Sequence, residues 1–200
     1  MSKITEWESC PMEVENCDAI GTVYVFIVEG KENYAYVYKS ADFNKDFIPT
    51  IRFQSQCIMG IILGDTECDC RQNLVYSQQY LAQLPNGGIL FILNDDGKNQ
   101  SGIIKLKQKK LRMEGMCMPD ILNIPVGVWD ARTYKWIPEA MKIIGIPPIC
   151  KTITRHPRKV KDLIKDGVEI TDAIGYDYNI TSGNQTYMDM KKNCFNFQFS

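Results

Sequence analysis

The sequence predicts an α/β protein, a layered mixed β-sheet flanked by helices. Three observations predict it. Short runs rich in β-branched and aromatic residues recur along the chain; helical segments alternate with strand-like ones in the C-terminal half; and glycine or proline stops separate the two kinds.

"GTVYVFIVEG" and "NYAYVYKS" read as a β-hairpin turning around "KEN". "TIRFQSQCIMGIIL", residues 50–63, continues the extended pattern through Cys57. A helix follows Cys70, carrying Leu74, Val75, Leu81 and Leu84, and "PNGG" stops it. "GILFIL" is a buried strand that ends at the polar loop "NDDGKNQSG". "IPEAMKIIGI" is helical and "ICKTIT" is a strand; Pro157 then opens the helix "PRKVKDLIKDG", which Gly167 closes, and "VEI" is a further strand. The polar, aromatic tail from Gly175 falls outside this alternation. No internal repeat, low-complexity tract or linker divides the 200 residues, so one domain is expected.

Composition narrows the function classes. An apolar fraction of 44% and a charged fraction of 24% suit a globular chain with a real core. A formal net charge of −1 creates no global field toward nucleic acid or an anionic membrane, and neither is expected as a partner. The basic residues cluster locally, in "KLKQKKLR" and "RHPRKVK", which suits a compact anion; a solvated helix face is the plainer alternative. No run of about 18 apolar residues is present, and the N-terminus lacks the apolar core of a signal peptide, so a cytoplasmic protein is expected. In that compartment eight cysteines suggest metal binding or catalysis rather than a disulfide framework, and the two Asn-x-Thr sequons at Asn179 and Asn184 are chance matches.

Three of those cysteines, Cys57, Cys68 and Cys70, fall within fourteen residues. Three thiolates satisfy zinc at about 2.3 Å, and a site with three protein ligands keeps a fourth position open for water or substrate, as catalytic zinc sites do. The sole histidine, His156, lies 86 residues beyond Cys70 and is a weak choice for a fourth ligand. Spacing alone leaves two readings open, a zinc site and a group of buried free thiols.

Read with its surroundings, the thiol group resembles GTP cyclohydrolase II, a zinc enzyme family that opens riboflavin synthesis. That family shows Arg-x-His-Ser-x-Cys, ten residues, then Cys-Asp-Cys. This chain has Arg52-Phe53-Gln54-Ser55-Gln56-Cys57, ten residues, then Cys68-Asp69-Cys70. The family's Asp-x-Arg-x-aromatic appears as Asp130-Ala131-Arg132-Thr133-Tyr134, before a helix ending "IIGI". Its Thr-Asn-Asn-Pro-x-Lys appears as Thr154-Arg155-His156-Pro157-Arg158-Lys159, and its Tyr-Leu-Asp-x-Lys as Tyr187-Met188-Asp189-Met190-Lys191. Order and approximate spacing hold from residue 21 to residue 195.

The resemblance implies one zinc ion on Cys57, Cys68 and Cys70, Asp130 as proton acceptor, and Arg132 as the group that attacks the α-phosphate and releases pyrophosphate. It assigns the nucleotide to Arg52, Ser55, Gln56, Asn73, Asp96, Gly97, Lys98, Thr154 and Lys159, with Mg2+ as a further candidate accompanying the nucleotide, and it implies a homodimer. Arginine, lysine and a helix start are what a triphosphate needs, and Pro157 places Thr154 and Lys159 at one. Without the resemblance, Asp130 and Arg132 read as a surface ion pair.

The chain also departs from the family. The loop Glu-Gly-Arg-x-Ile-Gly-Leu becomes "DDGKNQSGI", so that Lys98 stands for an arginine and loses its bidentate fork. A family tyrosine aligns near Lys109, a glutamine is Asn73, and a threonine is Met118. Three functions are therefore expected in turn: opening the imidazole ring of GTP with release of formate and pyrophosphate; the same chemistry on another purine or pyrimidine nucleotide, outside riboflavin synthesis; or nucleotide binding without catalysis. A zinc nucleobase deaminase is disfavoured, because neither His-x-Glu nor Pro-Cys-x-x-Cys occurs.

Overall fold

A computed structural model describes residues 3–14, 21–38, 47–94, 102–116, 132–154, 156–176 and 180–195. The chain falls into two compact units. One comprises Met1–Gln54, Asn73–Asn94 and Thr133–Tyr176, the other Ser55–Gln72, Asp95–Arg132 and Asp177–Ser200.

The first unit is built on a seven-stranded mixed sheet of β1 (Ile4–Met12), β2 (Gly21–Val28), β3 (Lys31–Val37), β4 (Thr50–Ser55), β5 (Ile89–Leu93), β6 (Ile149–Ile153) and β7 (Glu169–Ile174). Its spatial order is β1-β2-β3-β5-β4-β6-β7. β1, β2, β3 and β5 pair antiparallel, whereas β4–β6 and β6–β7 pair parallel, each parallel step needing a helical crossover. The expected α/β architecture is present.

The hairpin forms, but its turn is not at "KEN". Val28 pairs with Lys31, so the two-residue turn is Glu29-Gly30, and both residues have positive φ (52° and 74°). That is the primed turn whose twist matches a hairpin, and Lys31, Glu32 and Asn33 are drawn into β3. β1 is an addition to the expected strands. Its burial pattern is almost wholly exposed, so it carries little of the alternation that betrays a strand.

Alternate strand residues form one apolar face: Phe26 and Val28, Ala35 and Val37, Ile51 and Phe53, and Ile89, Phe91 and Leu93 are all buried. Helix α3 (Ile137–Ile144) lays Ile137, Ala140 and Met141 on it, and α4 (Pro157–Lys165) adds Leu163. Gly145 ends α3 at φ 91° and Gly167 follows α4 at φ 98°, both left-handed positions that favour glycine. Helix α1 (Cys70–Gln83) packs Leu81 beside Gly88, where an added Cβ would come 2.5 Å from its Cδ2; Val75, expected on the same apolar stripe, is exposed instead. Thr50, Arg52 and Gln54 of β4 alternate with the core residues and point to the other face.

The second unit contains the thiol-bearing segment, helix α2 (Gly102–Met113) and helix α5 (Gln185–Phe195), which lies within the tail. Here the expected extension of β4 fails. The strand stops at Ser55, and Ile58–Ile62 forms a short π-helix. Among the described residues no helix is long and apolar enough to cross a membrane.

Candidate metal centre and nucleotide site

Cys57 is the last extended residue before the π-helix, with φ −114° and ψ 99°. Its carbonyl accepts the N–H of Ile61, and the N–H of Leu63 reaches back five residues to Ile58. The N–H of Asp65 then bonds Met59, and that of Cys68 bonds Asp65, folding the segment back so that Cys68 and Cys70 return to Cys57. The three Sγ atoms lie within 4.8 Å of one another, with Cys57 and Cys68 separated by 3.8 Å. Sulfurs bound at about 2.3 Å to one tetrahedral ion sit about 3.8 Å apart, so the spacing suits a metal and is far longer than a disulfide. Among the described residues these three thiols are the group able to hold a metal ion.

The charge state favours a cation too. Thiol hydrogen bonds from Cys68 and Cys70 hold Cys57 down at about 2, helped by the N–H of Gly60 and by Lys105 of α2. Donation to Cys57 and burial push Cys68 up to about 12 and Cys70 well above the ordinary thiol value. Three like charges cannot gather in a buried site uncompensated, so the group resists full ionisation on its own. A divalent cation is the compensation that lets all three ionise.

Gly60 makes the return possible. A Cβ there would stand 2.5 Å from the Sγ of Cys68, 3.0 Å from its Cβ and 3.2 Å from the Cβ of Cys70. In the sequence Gly60 stands as a lone glycine in an apolar run, a signal of close backbone approach. Gly60→Ala is expected to lower the affinity of the three thiols for a divalent metal ion at least about tenfold, the range seen for damage just outside a metal's ligands, while the fold persists. Chelator competition measures it; parental affinity in the alanine variant would refute the cradle.

In the same unit, Arg132 Nη1 donates to Ser55 Oγ at 2.8 Å. Arg132 is thereby tied to a buried hydroxyl two residues before the first thiol. Asp130, Asp96, Gly97, Lys98 and Met118 lie outside the described residues.

Three expected nucleotide residues gather in the first unit, at one end of β4 and β6. Arg52 donates through Nη1 to the carbonyl of Ile153 at 2.7 Å and through Nε and Nη2 to Gln54 Oε1 at 3.1 and 2.8 Å. Lys159, in the first turn of α4, donates to the carbonyl of Phe53 at 2.8 Å. The hydroxyl of Thr154 accepts the N–H of His156, which precedes α4. Arg52, Gln54, Thr154 and Lys159 are all buried. Buried cations need such partners, and those partners also fix where the heads stand. Gln54, which is not among the expected nucleotide residues, receives the Arg52 fork. Asn73 is buried in α1 with its carbonyl accepting the Ser77 hydroxyl, and Gln56 is half-buried.

The sequence profile of GTP cyclohydrolase II matches residues 6–175, which take in the thiols, Arg132 and the β4–β6 group alike. The chain belongs to the GTP cyclohydrolase II family. It is similar to the GTP cyclohydrolase-2 of Vibrio vulnificus, 27% identical over 161 residues that cover 80% of this chain and 79% of that one. The GTP cyclohydrolase-2 of Picrophilus torridus is 27% identical over 171 residues, 85% of this chain and 87% of that one. The riboflavin biosynthesis protein RibBA of Chlamydia trachomatis is 27% identical over 194 residues, 96% of this chain but only 44% of that longer protein. Identities at this level mark a diverged member.

Proposed function

We propose that this chain is a zinc-dependent cyclohydrolase that opens the imidazole ring of GTP and releases formate and pyrophosphate. The observation that carries the reading is the triple thiol cluster, with Arg132 held on Ser55 in the same unit. A merely structural zinc site needs no such arginine.

Cys57, Cys68 and Cys70 would hold the ion. When bound with an open position, zinc supplies Lewis acidity and water activation near neutral pH. Water entering at C8 opens the amidine of the imidazole ring to a formamide, and a second water cuts that group off as formate. Asp130 takes up and returns the protons of these additions. Arg132, oriented by Ser55, attacks the α-phosphate and displaces pyrophosphate, and a third water then cleaves the phosphorus–nitrogen bond to regenerate the arginine. Arg52, Thr154 and Lys159 bind the polyanion, with Lys98 supplementing them. By family resemblance the active form is a homodimer in the cytoplasm.

A second reading, the same chemistry on another nucleotide, is favoured by Lys109. Where the family has a tyrosine, this chain has an ammonium committed to Asp65 at 2.6 Å. Zinc-loaded protein incubated with a panel of nucleoside triphosphates separates the two. GTP yielding formate and pyrophosphate together supports the first reading, and another nucleotide doing so supports the second. Formate from none of them refutes the cyclohydrolase assignment.

A further inference from the structure

The segment between the first and second thiols is gripped from outside by helix α2. Lys109 Nζ lies 2.6 Å from Asp65 Oδ1 and 3.7 Å from Glu67 Oε2, and Arg112 Nη2 lies 3.2 Å from the same Glu67 oxygen. Asp65 Oδ1 also accepts the N–H of Glu67, while the Asp65 backbone joins Met59 on one side to Cys68 on the other. Arg112 is itself fixed from a second direction, its guanidinium 5.7 Å over the ring of Tyr187 in α5. Two acidic residues on the thiol segment thus meet two cations one helical turn apart on α2. All four are partly buried, where such pairs are screened less than on an open surface.

We propose that α2 is a clamp: through Lys109 and Arg112 it holds the Asp65–Cys70 segment in its folded-back path, and so governs how long the three thiols stay together around a metal ion. Lys109 is a positioning residue. It acts on Cys68 through Asp65, whose carbonyl and carboxylate lie on the route back to that thiol. The part of the proposal that concerns the ion rests on the zinc reading above; the part that concerns the thiols does not.

The test uses the full chain with two readouts. The first is transfer of zinc from loaded protein to a chromogenic chelator. The second is site-resolved labelling of Cys68 and Cys70 in metal-free protein by a neutral alkylating reagent. Lys109→Met keeps the aliphatic stem and removes the charge, Asp65→Asn removes the partner, and Lys109→Arg restores the pairing. Methionine and asparagine variants should release zinc about 10- to 100-fold faster and label faster, with arginine close to the parent. Raising salt to about 1 M, where the screening length falls to about 3 Å, should move the parent toward the methionine variant, an effect that lost packing would not produce. This arm decides the matter even for a variant that folds poorly. Parental rates in both readouts for Lys109→Met, or salt-independent rates in the parent, overturn the clamp. A parent that takes up no zinc while the methionine variant still labels faster overturns the zinc reading and leaves the clamp standing.

Discussion

Cys68→Ser is expected to yield protein that holds less than a tenth of the parent's zinc after chelator challenge and forms no detectable formate. Cys68 Sγ lies 3.8 Å from Cys57 Sγ, and donation to Cys57 together with burial pushes its thiol up to about 12. Serine offers a shorter, harder oxygen that stays protonated at neutral pH, so one of three ligands is lost outright. Structural zinc sites are worth about 10–16 kcal/mol in small peptides, which makes a single thiolate worth several orders of magnitude in affinity. Cys150→Ser is the matched control. Burial pushes that thiol up to about 12, so it stays a neutral core group, and its loss should lower stability while zinc stoichiometry remains at one. Elemental analysis beside a formate assay gives the answer. Full zinc in Cys68→Ser, or zinc found on His156, would sink the three-thiol assignment.

The second large effect separates the two chemical steps. Arg132→Ala should stop pyrophosphate release, and Arg132→Lys should not restore it, because a compact ammonium cannot present the planar fork that Ser55 now orients at 2.8 Å. Asp130→Asn keeps the shape of the side chain and removes the proton acceptor, a loss that costs on the order of 10²–10⁴ in rate, here in formate release. Formate and pyrophosphate followed in parallel distinguish the variants. Undiminished pyrophosphate release by Arg132→Ala would remove the arginine from the phosphate step and leave ring hydrolysis as the whole reaction.

Much of this fold could be read from local pattern because the pattern and the core agree. Ile89, Phe91 and Leu93 alternate inward, and Pro157 and Gly167 bracket α4 by backbone chemistry alone. The thiol triplet was equally plain. What escaped were features decided by geometry over distance. "KEN" looks like a turn by composition, yet Glu29-Gly30 takes the left-handed conformations and wins the hairpin. "CIMGII" looks extended by its β-branched residues, but Gly60 must sit against two cysteines and the segment coils into a π-helix. β1 escaped because nearly every side chain on it faces water. The clamp could not be read at all, since it joins acids at 65 and 67 to cations more than forty residues away.

The π-helix between Cys57 and Cys68 has a consequence for how this chain can vary. A coil closed by an i→i+5 hydrogen bond encloses one more residue in that ring than an α-helical i→i+4 bond does, and the glycine of that coil must face the sulfurs. Ile62 and Leu63 are 66% and 74% exposed, so many side chains could replace them. Removing or adding one residue anywhere in Ile58–Ile62 would instead swing Gly60 away and bring a Cβ against Cys68. In this stretch the chain is free in its spelling and strict in its length.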